Sequence, residues 1–274
     1  EIHPINVKIG GFYKTPAKKE LLKLAPDIKW ARDAVINLIK IIKTFEFPDF
    51  EFDYDLVALS HPDEYPMNEG KIISNRGLNI LPEEYDFHFV EEHVEHSNAL
   101  HSRIRERGSY MVGPLARYNL NYKKLSPLCR QTAKEAGLGR EVLNPFKSIL
   151  VRGIETLYAC EEALNIIENY EEPEKPAVDI LAKEATGYAA TEAPRGLIYH
   201  RYRIDDEGII ADARIVPPTS QNQKQIENDL RTLIPKYINL PDKDLVWKCE
   251  QAVRNYDPCI SCATHFLKLN ILRE

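Results

Sequence analysis

Cysteine is scarce in this chain. Five in 274 residues, an odd number, are too few to staple a chain of this length, so a disulfide framework is excluded and a reducing, cytoplasmic setting is expected. No run approaches the ~20 apolar residues that span a bilayer. The most apolar helical candidate, Ala34 to Ile42, is short and broken by Asn37 and Lys40, so no membrane span is expected. A basic excess is missing as well: the net charge is -6, which argues against a general nucleic-acid binder. There is no internal repeat and no low-complexity linker. The chain opens on Glu-Ile-His-Pro, without a signal peptide and without methionine, so residue 1 is expected not to be the natural start. What is present is an ordinary globular composition, 43% hydrophobic and 28% charged, at a length that allows one large domain or two ordinary ones; one compact unit over 1–274 is the expectation.

Alternating polarity from His3 to Tyr13, ending at Gly10-Gly11, predicts a strand and a tight turn. Apolar residues at helical spacing predict helix over Asp27 to Phe45, and Leu56 to Leu81 reads as a short β region turning at Asn75-Arg76-Gly77. Glu83 to Arg107 reads as mainly helical and holds His88, His93, His96 and His101. Cys129 to Ala136 reads as a short helix, and Asn144-Pro145 starts a long one. Leu197 to Ile204 and Ile209 to Val216 flank Asp205-Asp206-Glu207-Gly208, a hairpin signal. Helix returns at Gln223 to Tyr237 and from Asp242, read as an N-cap, to about Asn255. The fold class is α+β, mainly helical, with one or two small antiparallel sheets.

Four stretches could carry chemistry. In Asp257-Pro258-Cys259-Ile260-Ser261-Cys262-Ala263-Thr264-His265, two cysteines two residues apart can grip one metal, and the histidine can serve the same or a neighbouring ion. Asp257-Pro258 reads as a helix start, whose dipole favours thiolate. A zinc half-site or a redox pair remains open, although no second Cys-x-x-Cys exists. In Glu192-Ala193-Pro194-Arg195-Gly196, proline and glycine can fix a guanidinium for an anionic ligand; the alternative is a plain turn with a surface ion pair. In Pro217-Pro218-Thr219-Ser220-Gln221-Asn222, hydroxyls can donate to an anion, or Ser220 or Asn222 can simply cap a helix. The four histidines form a metal cluster or a helix surface. Cys129, Cys160 and Cys249 read as structural.

Taken together, the three ordered stretches resemble the nickel–iron hydrogenase large subunit. Asp-Pro-Cys-x-x-Cys-x-x-His is similar to its second metal-binding motif, with Glu-Ala-Pro-Arg-Gly and Pro-Pro-Thr-Ser-Gln-Asn upstream. The opening His-Pro-Ile-Asn-Val-x-Ile-Gly-Gly is similar to a further family segment. The wording of these motifs is nearest to the soluble multi-subunit group that uses nicotinamide or deazaflavin partners.

The resemblance implies a nickel–iron centre with cyanide and carbonyl ligands. Cys259 would be a terminal nickel ligand and Cys262 would bridge nickel and iron. Arg195 would donate to an iron-bound cyanide and assist H2 cleavage as a base. Thr219 would hydrogen-bond the second cyanide, Pro194 would wall the carbonyl, Asp257 would support the site, and His265 would bind magnesium. It also implies an earlier Arg-x-Cys-x-x-Cys pair with a proton-relaying glutamate, and neither stands in this sequence. The chain is therefore expected to be a C-terminal portion, inactive and metal-free alone. Phe266 to Glu274 follow the residue after which the family's maturation protease cuts, so an unprocessed form is expected. Implied partners are an iron–sulfur small subunit, diaphorase-type subunits, the maturation protease and nickel chaperones. The alternatives are a hydrogenase-like electron-transfer subunit without catalysis, against which the cysteine pair argues, and a small zinc-binding interaction module.

Overall fold

The computed structural model describes residues 6–259, so Cys262, His265 and the opening His3 lie outside the described residues. A first ribbon pairs β1 (Val7–Lys8) with β2 (Gly11–Phe12) around Gly10, as the alternation predicts. Helices α1 (Lys18–Leu22) and α2 (Ala25–Ile42) follow. The next sheet holds β3 (Val57–Ser60), β4 (Lys71–Ser74) and β5 (Asn79–Ile80), in the order β3-β4-β5 and antiparallel.

The segment expected to be mainly helical is not. It has a four-residue helix, α3 (Tyr85–His88), then an antiparallel hairpin of β6 (Phe89–Glu92) and β7 (His101–Ile104). Local propensity from Glu and His loses here to tertiary packing. Phe89 is buried, lies 4.3 Å from the Tyr85 ring in a stack, and pairs across the ladder with buried Ile104.

Helices α4 (Pro114–Asn121), α5 (Pro127–Glu135) and α6 (Ser148–Asn169) build the helical half with α2. Ser126 caps α5 by accepting from the Cys129 N–H at 3.0 Å. A third sheet has the order β10-β9-β8, from β8 (Ala185–Ala193), β9 (Gly196–Ile204) and β10 (Ile210–Val216). The β9–β10 hairpin is the expected one. Strand β8 went unread because Ala-Thr-Gly-Tyr-Ala-Ala carries little β propensity; it forms by pairing along all nine residues of β9. Among the described residues there are thus four small antiparallel sheets rather than one or two.

The chain ends in α7 (Pro218–Tyr237) and α8 (Asp242–Arg254). Helix α7 starts five residues before the expected Gln223, and the α8 cap position is Pro241, which puts Asp242 at the first helical residue. One hydrophobic core lies among α2, α4, α5 and α6, with Leu150, Val151, Ile154 and Leu157 of α6 buried. The other packs the sheets through Val57, Leu59, Tyr85, Leu197 and Tyr199, with Tyr85 and Tyr199 stacked at 4.0 Å. No helix among the described residues is long and apolar enough to cross a membrane.

Candidate metal centre

Arg195 stands at the tip of a two-residue hairpin. Ala193 pairs with Gly196 to close β8 on β9, leaving Pro194 and Arg195 between them. Gly196 has φ +135°, and a Cβ there would meet Val112 Cγ2 at 2.6 Å and the Gly113 nitrogen at 2.7 Å. Gly113 has φ +115°, and its Cβ would meet the Arg195 carbonyl at 2.7 Å. Two glycines face each other so that the Arg195 backbone can lie against residues 112–113, a close approach that no side chain permits.

Beneath the tip sits Arg117 of α4, whose side chain is 1% exposed. Its Nε and Nη2 donate to both oxygens of Glu155 on α6, each at 2.7 Å. Nη1 donates to Glu192 and to the Ala193 carbonyl, each at 2.8 Å, and Nη2 also donates to the Pro194 carbonyl at 3.0 Å. All five guanidinium donors are therefore used. Glu192 also accepts the Leu59 N–H at 2.8 Å, and Tyr65 donates to Glu155 at 2.6 Å. Burial works against the Arg117 charge, yet Glu155 and Glu192 hold it well above the usual arginine range. Burial pushes the Glu192 carboxyl up, against the pull of Arg117 and the Leu59 N–H. Removing one member of such a set strands the others in the interior at a cost of ~3–5 kcal/mol.

Helix α7 brings the hydroxyl run to the same place. Thr219, Ser220, Gln221 and Asn222 are all buried in its first turn. Ser220 donates to the Pro217 carbonyl, so it satisfies its own helix end. Gln221 donates to the Leu197 carbonyl at 2.5 Å, and Asn222 accepts the Val112 N–H at 2.9 Å. These amides lock α7 to β9 and to the strip on which Arg195 rests. Thr219 Oγ1 accepts the Cys259 N–H at 3.3 Å. That bond leaves the threonine's own O–H outside it.

The approach to Cys259 is held from below. Asp229, one face farther along α7 and buried, accepts from Tyr54 at 2.9 Å, from Tyr256 at 2.6 Å and from Gln225 at 2.9 Å. Ser148 and Arg152 of α6 donate to the Asn255 carbonyl at 2.9 and 3.2 Å. Asp257 takes φ +48°, a left-handed conformation that aspartate tolerates and that an extended helix cap does not use. The helix expected to start at Asp257-Pro258 would run on into residues outside the described ones. The Asp257 carbonyl accepts from Arg195 Nε at 2.5 Å, with a carboxylate oxygen 3.3 Å from the same nitrogen. Burial depresses Arg152, which shares this corner with Asp257 and Arg195.

Arg195, Pro194, Thr219, Asp257 and Cys259, drawn from three stretches, are thus linked through a few hydrogen bonds. Arg117, Glu155 and Arg152 escaped sequence reasoning, and Asn222 was read only as a possible helix cap. Arg117 gives no signal beyond being a charge among apolar neighbours, whereas Glu192 lay in a quoted stretch and went unassigned. Three further thiols lie among the described residues. Burial pushes Cys129 up to about 12 and raises Cys160 and Cys249, so these stay protonated and inert, in keeping with their structural reading.

Comparison with known proteins bears on this corner. The sequence model for nickel-dependent hydrogenase matches residues 67–265. Sulfhydrogenase 1 subunit alpha of Pyrococcus furiosus is 30% identical over 276 residues, covering 98% of this chain and 63% of that protein. The NAD-reducing hydrogenase HoxS subunit beta of Cupriavidus necator is 31% identical over 172 residues, covering 60% of this chain and 35% of its own length. A solved NAD+-reducing NiFe-hydrogenase in the H2-reduced state superposes with a TM-score of 0.81 at 24% identity, over 96% of this chain and 63% of that one, a likeness of fold. The chain spans less than two thirds of the curated relatives it matches.

Proposed function

Because the chain belongs to the nickel-dependent hydrogenase large-subunit family, we propose that it contributes to a nickel–iron centre for reversible oxidation of H2 to protons and electrons. One observation supports the reading most: Arg195, Thr219 and Cys259 come from separate stretches yet are joined by the hydrogen bonds at Asp257 and Thr219.

The donor set fits such a group in part. Cys259, together with Cys262 beyond the described residues, offers one thiolate pair. The other cysteines are Cys129, Cys160 and Cys249, which are raised, protonated thiols in three different helices. A four-thiolate centre is therefore half met by this sequence. When bound, the group supplies Lewis-acid polarisation of H2.

The chain's own residues supply the surround. Arg195 presents a guanidinium whose two contacts with Asp257 both use Nε, so the Nη groups are available to an anionic ligand such as cyanide. Thr219 offers a hydroxyl to a second such ligand, Pro194 an apolar wall, and Asp257 holds Arg195 in place. Cys259 and Cys262 would hold the nickel–iron group through their thiolates, and His265 would hold magnesium. Partners in this reading are an iron–sulfur small subunit and diaphorase-type subunits, with a maturation protease and nickel chaperones, in the cytoplasm.

The test is the metal content and H2/D+ exchange of the protein purified with its natural subunits. Nickel and iron in equal amounts, with exchange activity, is the expected result. Zinc alone, without exchange, overturns the reading in favour of an interaction module.

A further inference from the structure

The helical surface expected of the histidines is replaced by the β6–β7 hairpin, and this rearrangement gathers two of them against α7. His96, in the connection between β6 and β7, places Nε2 2.6 Å from Glu227 Oε1. His101, on β7, places Nδ1 3.9 Å from the same oxygen, with the two rings edge to face at 5.8 Å. All three ligand atoms lie within 4.8 Å of one another. We propose that His96, His101 and Glu227 form a site for a borderline divalent cation of the zinc class, which pins the β6–β7 hairpin to α7.

Three features carry this. The first is spacing. An ion with bonds of ~2.0–2.1 Å in tetrahedral geometry sets its ligand atoms ~3.3 Å apart. The pair at 2.6 Å has to open, and the pair at 3.9 Å has to close, by about half an ångström or a little more. Both are small displacements for a side chain in an exposed connection and one on a helix surface.

The second is His101 itself. Its side chain is 2% exposed, its Nε2 has no hydrogen-bond partner, and its Nδ1 is beyond hydrogen-bond reach of Glu227. A cation at Nδ1 would engage this buried ring through the nitrogen that faces Glu227.

The third is orientation. Arg231 Nη2 lies 3.3 Å from Glu227 Oε2 and so steers Oε1 toward the histidines. Lys224, a further cation on the same helix, is engaged with Glu92 at 2.7 Å, and Glu92 in turn holds Arg103. Positioning contacts of this kind are what a metal site uses to fix its ligands. Two imidazoles and one carboxylate leave a fourth position for water, and imidazole donors favour zinc-like ions over magnesium or calcium. Because Glu227 and Thr219 share α7, the ion would brace the helix that carries the candidate centre's hydroxyl. The inference does not depend on the hydrogenase reading.

The test titrates Zn2+ into the full chain carrying Cys259→Ala and Cys262→Ala, so that thiolates cannot answer. One equivalent bound is expected, with His96→Ala or Glu227→Gln weakening it at least tenfold and zinc slowing amide exchange over residues 89–104. Absence of zinc binding, binding indifferent to His96→Ala, or unchanged exchange in the hairpin each overturns the proposal. If this doubly substituted variant does not fold, Co2+ in the unaltered chain replaces it. Absorption bands lost in His96→Ala, without sulfur-to-cobalt charge transfer, are then expected, and only thiolate-type bands would overturn the proposal.

Discussion

Two arginines meet the same hairpin tip and do opposite things. Arg117 is 1% exposed and spends every donor on Glu155, Glu192 and two carbonyls. Arg195 is 39% exposed and makes its contacts to Asp257 through Nε. The buried one determines where the tip is; the exposed one is what the tip presents. Satisfied donors build a scaffold, and spare donors on a fixed backbone are what a ligand can use.

Arg117→Met has the largest effect. It leaves Glu155 and Glu192 buried without their cation, at a cost of ~3–5 kcal/mol in urea denaturation. A loss under about 1 kcal/mol would mean that the carboxylates find other partners and that the scaffold role is misplaced.

Next is Gly196→Ala. The added Cβ would meet Val112 Cγ2 at 2.6 Å while the backbone holds φ +135°, so a loss of ~1–3 kcal/mol is expected. Nickel retention in the assembled protein should fall with it, since the same displacement moves Arg195. Stability lost without any change in metal content would separate the hairpin tip from the candidate centre.

Asp229 gives a pH-dependent version of the comparison. Burial raises its carboxyl despite bonds from Tyr256, Gln225 and Tyr54. A carboxyl raised in the folded state stabilises fully below its unfolded pKa of ~3.9 and loses that contribution as pH rises through the folded value. The stability advantage of the native chain over Asp229→Asn should therefore be greatest near pH 4 and shrink toward neutral pH. Tyr256→Phe, which removes the bond into this carboxylate, should cost ~1 kcal/mol. A flat difference between pH 4 and 8 would show that Asp229 does not titrate in that window.

Much of the exposed half was legible in the sequence, because function needs particular residue types at fixed spacing there. Pro194-Arg195-Gly196 and Asp257-Pro258-Cys259 stood out for that reason, and the hairpin glycine at 208 marked its turn. The buried half was not legible. Arg117 and Glu155 lie 38 residues apart and Glu192 lies farther on; only the fold brings them together. The same limit explains β6 and β7, whose strand form comes from Phe89 meeting Tyr85, Tyr110 and Ile104 rather than from local preference. Asn222 read as a helix cap and Gln221 went unassigned because sequence does not show that β9 and Val112 lie opposite them.

Arg195→Lys should disturb stability least and test the division most directly. Lysine keeps the positive charge but loses the planar fork and the Nε–H that reaches the Asp257 carbonyl. At a side chain 39% exposed, screening limits what that bond contributes, so the change in unfolding free energy should stay within about 0.5 kcal/mol. Arg117 is untouched, so the hairpin should keep its place and the assembled protein its nickel. H2/D+ exchange, in contrast, should fall on the order of 100-fold, the effect of losing one preorganised donor at a reacting centre. Equal loss of exchange and of nickel would make Arg195 a scaffold residue like Arg117. Exchange retained in full would show that charge alone suffices at the tip, and that the guanidinium geometry built by Gly113, Gly196 and Asp257 serves something other than the reaction.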